Sequence, residues 1–141
     1  MEARGAVVAV DYGERRTGLA ACDPLRIAAM PIGVIETEDR EELLERIVDA
    51  VDARGATTLV VGLPLHLAGH ESARSRRVHE LCASLRARLP YVDVVELDER
   101  LTTKEANSLL AEGGVRPRDR KRRIDAVAAV VLLRAYLRAS P

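Results

Sequence analysis

The residues of this chain best suited to chemistry are four acids placed at the ends of predicted buried elements. Asp11 ends the apolar run 7–10, Asp98 and Glu99 follow a second apolar strand, and Asp125 opens an otherwise apolar helix. A carboxylate at the end of a buried strand is costly to hold unless a cation or a hydrogen-bond donor pairs with it. Because ligands of open α/β sheets bind beyond the carboxyl ends of parallel strands, these acids could share one cleft.

Carboxylates in one cleft repel one another and raise one another's pKa. A hard divalent cation removes that conflict, and Mg²⁺ or Mn²⁺ prefers carboxylate and water oxygens. A pair of such ions can activate a water and stabilise the leaving oxygen in phosphodiester cleavage. Each acid also has a purely structural explanation, as a satisfied hairpin residue (Asp11), an ion-pair partner of Arg100 (Asp98 or Glu99) or a helix cap (Asp125).

Basic residues are concentrated near these acids, although the formal net charge is zero. Residues 36–52 hold eight acids and two bases, whereas residues 116–141 hold eight bases and two acids. Six of those bases fall within 116–123, which we predict to be a loop because it contains Pro117. Such a polarised chain can be a solvated surface or present a face to a polyanion. The predicted nucleic-acid-binding residues are Arg15, Arg16, His66, Arg74, Arg76, Arg77, Arg100, Arg118, Arg120, Lys121, Arg122 and Arg123.

Composition excludes several other classes of protein. The 141 residues are 48% hydrophobic but only 2% aromatic, so the core must be aliphatic and base stacking on aromatic platforms is disfavoured. Cys22 and Cys82 are isolated, which indicates reduced thiols in a cytoplasmic protein without a signal peptide or membrane span. His66 and His70 lie in one glycine-bounded loop, but without a third His or a Cys nearby they do not predict a zinc site.

The elements that must position the acids follow from the hydrophobic periodicity. Three strands in quick succession and two strand–helix units predict an α/β chain with element order βββαβαβα, a five-stranded mixed sheet and helices on both faces. A single domain, 1–141, would hold them all. The predicted strands are 7–10, 17–22, 27–37, 57–63 and 91–97, and the predicted helices are 38–54, 72–88, a short one from 102 to 113, and about 124–138.

Four segments together resemble the YqgF/RuvX family over essentially the whole chain. They read V-D-Y-G-x-x-x-x-G-x-A from Val10, V-V-G-L-P-L from Val60, D-E-R-L-T-T from Asp98 and R-I-D-A-V-A-A from Arg123. The resemblance implies a ribonuclease H-like fold and a divalent-metal-dependent nuclease, using Mg²⁺ or Mn²⁺. It further implies hydrolysis of phosphodiester bonds in 5′-end maturation of precursor 16S ribosomal RNA. An older description of the family is Holliday junction resolvase, which acts on branched DNA.

The resemblance assigns the catalytic acids residue by residue. The first family acid falls on Asp11, the second on Glu99 with Asp98 beside it, and the third on Asp125. Many nucleases of this superfamily also carry an acid at the end of the fourth strand. Here that strand ends in the acid-free segment 62–64, so the second carboxylate must come from the fifth strand. The following loop also departs from the family pattern, because His66 and Ala68 replace a polar pair.

Two further hypotheses compete with a nuclease. An actin-like or sugar-kinase-type phosphotransferase also opens with D-x-G, but that fold normally needs two such domains. A catalytically silent RNA-binding factor for ribosome assembly would bind RNA without cutting it, so metal-dependent cleavage distinguishes the two. The expected partners are structured or single-stranded RNA, branched DNA or ribosomal precursor particles, with no membrane, for a monomer or homodimer.

Overall fold

The described part of the chain forms a sheet flanked by helices. The computed structural model describes residues 4–63, 72–98 and 117–139, with the backbone alone from 117 to 125. The order of elements in these ranges is βββαβαβα, as predicted. The predicted short helix 102–113 lies outside the described residues. The elements are β1 Val7–Asp11, β2 Arg16–Cys22, β3 Ala29–Glu36, α1 Arg40–Arg54, β4 Thr58–Leu63, α2 Ala73–Arg88, β5 Asp93–Asp98 and α3 Pro117–Ala139.

The five strands form one mixed sheet in the order β3-β2-β1-β4-β5, which confirms the predicted class. β1 pairs antiparallel with β2, and β2 pairs antiparallel with β3. β4 lies parallel to both β1 and β5. The carboxyl ends of these three parallel strands therefore lie along one side of the sheet, here named the carboxyl edge, where Asp11, Leu63 and Asp98 end their strands.

Alternation along β1 divides the core into two layers. Val8 and Val10 pack with residues of α1 and α2, whereas Val7 and Ala9 pack with residues of α3. Since successive side chains of a strand point to opposite faces, the sheet has an α1/α2 face and an α3 face. β1 is buried on both, which explains why its sequence is a continuous apolar run.

Local sequence signals fix the ends of α1 and α2. The Asp39 carboxylate accepts hydrogen bonds from the first turn of α1, and Gly55 ends that helix with a left-handed φ of 58°. Glycine adopts this φ at little cost, as predicted from its position. Ser72 and Ser75 form a reciprocal capping box at the start of α2. The buried faces of the two helices consist of Leu43, Leu44, Ile47 and Val51 on α1 and of Val78, Leu81, Cys82 and Leu85 on α2.

The final helix corrects the sequence analysis. α3 begins at Pro117 and not near Ile124, so the basic run that we predicted to be a loop is helical. Proline is favoured at the first position of a helix, because its fixed φ is helical and its missing N–H has no partner there anyway. Arginine and lysine are also good helix formers. The prolyl residue therefore marks a helix start, not a loop.

β3 forms one edge of the sheet and is irregular. Leu19 pairs with Gly33 and Ala20 with Pro31, so Ile32 has no counterpart on β2 and forms a bulge. Gly33 adopts a φ of 146°, which an L side chain rarely takes. Pro31 accounts for both features, because proline cannot donate to a strand ladder and is confined to edge strands and bulges.

The two cysteines are free, as predicted, and both are buried. Burial raises the pKa of the Cys22 thiol. Burial, followed by the nearby Glu96 carboxylate, raises the pKa of Cys82 to about 12. None of the described helices is long and apolar enough to cross a bilayer.

The thiols should therefore react slowly in the folded protein. At pH 8 we expect iodoacetamide to label Cys22 and Cys82 at least about a hundredfold more slowly than in urea, because the thiolate is the nucleophile and both thiols stay protonated and covered. Mass spectrometry of timed samples measures both rates. For Cys82 the stability gained from the neutral thiol is complete below its unfolded pKa and is lost as pH rises towards 12. Rapid labelling of either site without urea would contradict this packing.

Candidate active site at the carboxyl edge of the sheet

Asp11 is the first acid of the candidate site. It is the last residue of β1, is half-buried, and pairs with Gly18 of β2. Side chains alternate between the two faces along a strand, so the Asp11 side chain lies on the same face as those of Val7 and Ala9, which belong to the α3 core. The Asp11 carboxylate therefore lies on the α3 face of the sheet, at the carboxyl edge.

Asp98 also ends a parallel strand but lies on the other face. Val94 of β5 belongs to the α1/α2 core, and the Glu96 carboxylate lies 2.8 Å from His79 Nδ1 on α2. Leu97, in contrast, packs in the α3 core. Asp98 lies two residues after Glu96, so its side chain lies on the α1/α2 face as well, where it is exposed. Asp11 and Asp98 therefore share an edge but not a face.

The direction of α3 follows from contacts of Arg26. Its guanidinium donates to the Gly5 carbonyl at 3.0 Å and to Thr58 Oγ1 at 3.3 Å. It also lies 6.0 Å from the centre of the Tyr136 ring on α3. Gly5 precedes β1 and Thr58 begins β4, so the carboxyl-terminal part of α3 lies at the amino end of these strands. α3 therefore runs antiparallel to β1, and its amino-terminal half extends towards the carboxyl edge.

The backbone places position 125 near the level of Asp11. From Tyr136 back to position 125 a helix covers about 16 Å, and from Ala6 to Asp11 a strand covers about 16 Å. Position 125 also lies one turn before Ala129 on the stripe of α3 that packs against the sheet, with Leu132 further along it. The helix thus brings the Asp125 position to the same face and the same end of the sheet as Asp11.

The loop between β1 and β2 is held by a threonine that the sequence analysis missed. The Thr17 hydroxyl accepts a hydrogen bond from the Gly13 N–H and donates one to the Gly13 carbonyl, both at 3.3 Å. Thr17 is 1% exposed, so these bonds are shielded from water. A signal was available, because a threonine four residues after a glycine can close such a turn. This turn fixes the backbone immediately after Asp11.

Arginines predicted to bind nucleic acid also hold this loop. Arg74 Nη2 donates to the Tyr12 carbonyl at 2.7 Å, and Arg77 forms an ion pair with Glu14. Arg15 pairs with Glu38 at 3.1 Å, with both side chains largely exposed. Such exposed pairs contribute little to stability and exchange readily for other partners. A cleft of about 320 Å³ lies over the loop and is lined by Gly13, Glu14, Arg15, Arg16 and Arg74.

Several predicted site residues fall outside what the structure describes. Glu99, Arg100 and His66 lie outside the described residues, as do the side chains of the basic run and of Asp125. Arg76 is described and exposed on the first turns of α2. Among the side chains that are described, no three of the His, Cys, Asp and Glu type come together as a metal-binding group.

Comparison with known families now identifies the chain. The family model described as "RuvX: Holliday junction resolvase" matches residues 5–139. The chain belongs to the RuvX family. The resemblance drawn from the four sequence motifs is thereby confirmed.

Curated relatives of this RuvX chain cover nearly its full length. One from Rubrobacter xylanophilus is 43% identical over 133 residues, or 94% of this chain and 92% of the relative. One from Dictyoglomus turgidum is 35% identical over 131 residues, or 93% of this chain and 92% of the relative. Both carry the description "Putative pre-16S rRNA nuclease".

Solved structures share the fold of the RuvX chain. T. thermophilus RuvC in complex with a Holliday junction substrate gives a TM-score of 0.64 at 17% identity, covering 96% of each chain. The Fowlpox virus resolvase with its junction DNA gives 0.62 at 8% identity, covering 95% of this chain and 97% of that one. The predicted ribonuclease H-like fold is confirmed.

One added methyl group at Gly13 tests whether the tight turn constrains the backbone beside Asp11. A Cβ on Gly13 would lie 2.1 Å from the Arg16 carbonyl oxygen, so Gly13→Ala must displace backbone beside Asp11. We expect a loss of about 1–3 kcal/mol in stability and shifted amide resonances at Asp11 and Thr17. Chemical denaturation and NMR measure the two effects.

Gly55→Ala is the matched control for this substitution. Its left-handed φ makes alanine unfavourable by about 1 kcal/mol, but a Cβ there meets nothing within 4 Å. It should lower stability and leave the resonances of Asp11 and Thr17 unchanged. Unchanged resonances in Gly13→Ala would show that the turn does not constrain the site.

Proposed function

We propose that this chain is a divalent-metal-dependent nuclease that hydrolyses phosphodiester bonds in 5′-end maturation of precursor 16S ribosomal RNA. The observation that carries the proposal is the Asp11 carboxylate, half-buried at the carboxyl edge on the face along which α3 approaches. Membership of the RuvX family and the description of its curated relatives support the same activity.

The donor set proposed for the metal suits a hard cation. Asp11, Glu99 and Asp125 would supply carboxylate oxygens, and Mg²⁺ or Mn²⁺ prefers such oxygens together with water. When bound, the metal would activate the attacking water and stabilise the charge that develops on the leaving oxygen. The role of the chain is then positional: the Thr17–Gly13 bonds fix the backbone after Asp11, and α3 carries the Asp125 position to the same face.

Strand alternation favours Glu99 over Asp98 as the second carboxylate. Asp98 lies on the α1/α2 face, opposite to Asp11. Glu99 is the next residue, and strand alternation would assign it to the α3 face. Carboxylates on the same face can approach one cation directly, whereas Asp98 would have to reach around the carboxyl edge.

The substrate strand would be held by arginines on both sides of the acids. Arg16 and Arg74 line the cleft over the β1–β2 loop. The basic run opens α3, the helix that carries the Asp125 position. Arginine binds phosphate through two parallel hydrogen bonds and stays charged at every working pH. Arg15 and Arg77 can join them, since their present ion pairs are exposed.

Cleavage of branched DNA is the second candidate function. The description of the family as Holliday junction resolvase favours it. The same carboxylates would serve either substrate, because the reacting phosphodiester is common to both. A cleavage assay that offers precursor ribosomal RNA and a four-way DNA junction in parallel, with Mn²⁺ or with chelator, distinguishes the two. Binding without cleavage in every lane would indicate a silent RNA-binding factor.

The carboxylates give the first prediction for this activity. Asp11→Asn should keep the fold and reduce metal-dependent cleavage about a hundredfold or more, since one metal-binding carboxylate contributes several kcal/mol to the transition state. Asp125→Asn should behave alike. Single-turnover cleavage measures the rate, and thermal unfolding confirms that each variant is folded. A wild-type rate for Asp11→Asn would overturn the metal-site proposal.

Asp98→Asn and Glu99→Gln form a matched pair within this prediction. Both remove one charge from neighbouring residues, so a general electrostatic effect would lower both rates alike. Strand alternation predicts a loss of about a hundredfold for Glu99→Gln and only a few-fold for Asp98→Asn. The reverse order would place the second carboxylate on the opposite face and would refute the argument from alternation.

The basic run gives a separate prediction about binding. If about four of its bases contact phosphates of one strand, the slope of log affinity against log salt should be near −3, at about −0.7 per contact. Changing Arg120, Lys121, Arg122 and Arg123 to Gln should flatten that slope on every sequence tested. Glutamine keeps helix propensity, so thermal stability should change little. Equal slopes for both proteins, from titrations at several salt concentrations, would mark the run as solvated surface.

A further inference from the structure

A second group of arginines lies at the far end of α3, away from the carboxyl edge. The groove between the start of β3 and the end of α3 has a volume of about 400 Å³. Because α3 runs antiparallel to β1, this groove lies at the amino end of the central strands. We name it the distal groove, and it is lined by Arg26, Ile27, Ala28, Ala29, Arg134, Leu137 and Arg138.

Two arginines of the distal groove repel one another when no anion is bound. Arg134 and Arg138 are one helical turn apart, and both are exposed. Like charges at this spacing destabilise a helix by a few tenths of a kcal/mol. Within the described ranges 4–63, 72–98 and 117–139, neither has an ion pair with a carboxylate. An anion in the groove would relieve this repulsion.

The third arginine is held rigidly in an unfavourable backbone conformation. Arg26 has a φ of 59°, in the left-handed region, which costs a residue other than glycine about 1 kcal/mol. Its Nε donates to the Gly5 carbonyl, and its Nη2 donates to the Arg4 carbonyl and to Thr58 Oγ1. These bonds use one side of the guanidinium and leave the two Nη1 hydrogens. A fixed guanidinium loses little entropy when it binds a phosphate.

The carboxylate nearest to the groove in sequence is already engaged. Asp23 Oδ1 accepts hydrogen bonds from the Ile27 N–H at 2.9 Å and the Ala28 N–H at 3.4 Å. These bonds hold the turn before β3 and lower the pKa of Asp23, the Ile27 bond most of all. Asp23 therefore stabilises the turn that presents Arg26 and does not neutralise Arg134 or Arg138.

The distal groove and the basic run lie at opposite ends of α3. Positions 120 and 138 are 18 residues apart, which is five full turns, so they lie on the same side of the helix, about 27 Å apart. Val131 lies between them within about 20° of the same line and is buried, so this side of α3 is covered midway. The distal groove is therefore a basic site separate from the basic run.

We propose that Arg26, Arg134 and Arg138 bind phosphates of the substrate strand in the distal groove, remote from the cleaved bond. The ligand chemistry is a phosphodiester chain, and the proposal rests on the proposed nuclease function. The exposed Ile27 side chain, 72% accessible, offers an apolar surface for a sugar or base beside the guanidinium groups. A strand at the upper end of the range of about 4–16 nucleotides that single-strand sites cover can reach both ends of α3.

Affinity as a function of RNA length tests the proposal. Single-stranded RNAs of about 3 and 15 nucleotides are titrated into the protein in chelator, which prevents cleavage. Arg134→Gln/Arg138→Gln should weaken binding of the longer RNA roughly tenfold at low salt and flatten its salt slope by about 1.4, for two contacts. The shorter RNA, which fills only the carboxyl edge, should bind with unchanged affinity.

Arg46→Gln/Arg54→Gln is the matched control, because it removes the same charge from exposed positions on α1. It should leave both affinities unchanged. Equal weakening of the two RNAs by Arg134→Gln/Arg138→Gln, or equal effects of the two double variants, would overturn the proposal. So would binding of pyrophosphate to the groove without any dependence on RNA length, which would indicate a site for a free anion.

This test is independent of cleavage. If the protein binds longer RNA through Arg134 and Arg138 but cuts neither RNA nor junction DNA, the nuclease function fails and the distal groove stands. If it cuts RNA and the length dependence is absent, the groove fails and the nuclease function stands.

Discussion

The arrangement of this molecule depends on β1, a strand buried on both faces. A strand that packs against helices on two sides cannot slip by one residue, because every side chain would then change layers. Val8 and Val10 pack against α1 and α2, and Val7 and Ala9 pack against α3. The face on which Asp11 lies is therefore determined by the same packing that stabilises the sheet. The position of one acid is thus a consequence of the core.

The same constraint extends to the neighbouring parallel strands. Hydrogen bonding fixes the register of β4 against β1 and of β5 against β4, so all three strands end together. α3 packs across the same sheet through buried apolar residues such as Ala129 and Leu132, and its Tyr136 lies near Arg26 at the opposite end of the sheet. The helix that carries one of the acids is therefore held against the sheet by core packing.

Sequence periodicity predicted most of the fold, because strand and helix patterns depend on local burial. The order of elements and the end of α1 before Gly55 follow from residue type and spacing, whereas the cap at Asp39 was not predicted. The start of α3 was predicted wrongly, because a proline such as Pro117 is compatible with a loop and with the first turn of a helix almost equally. The candidate acids were proposed from their positions and from the family resemblance. The faces of Asp11 and Asp98, and the turn bonds of Thr17, required knowledge of which layer each strand residue joins.

The bulge at Ile32 has a consequence for association between copies of this chain. A regular edge strand presents evenly spaced N–H and C=O groups that a second sheet can extend. In β3, Pro31 lacks an N–H, and the bulge with Gly33 twists the backbone out of regular spacing. Met30, 62% accessible, therefore sits on an edge whose hydrogen-bonding pattern cannot template another strand. The irregularity protects an apolar edge from growing into an extended intermolecular sheet.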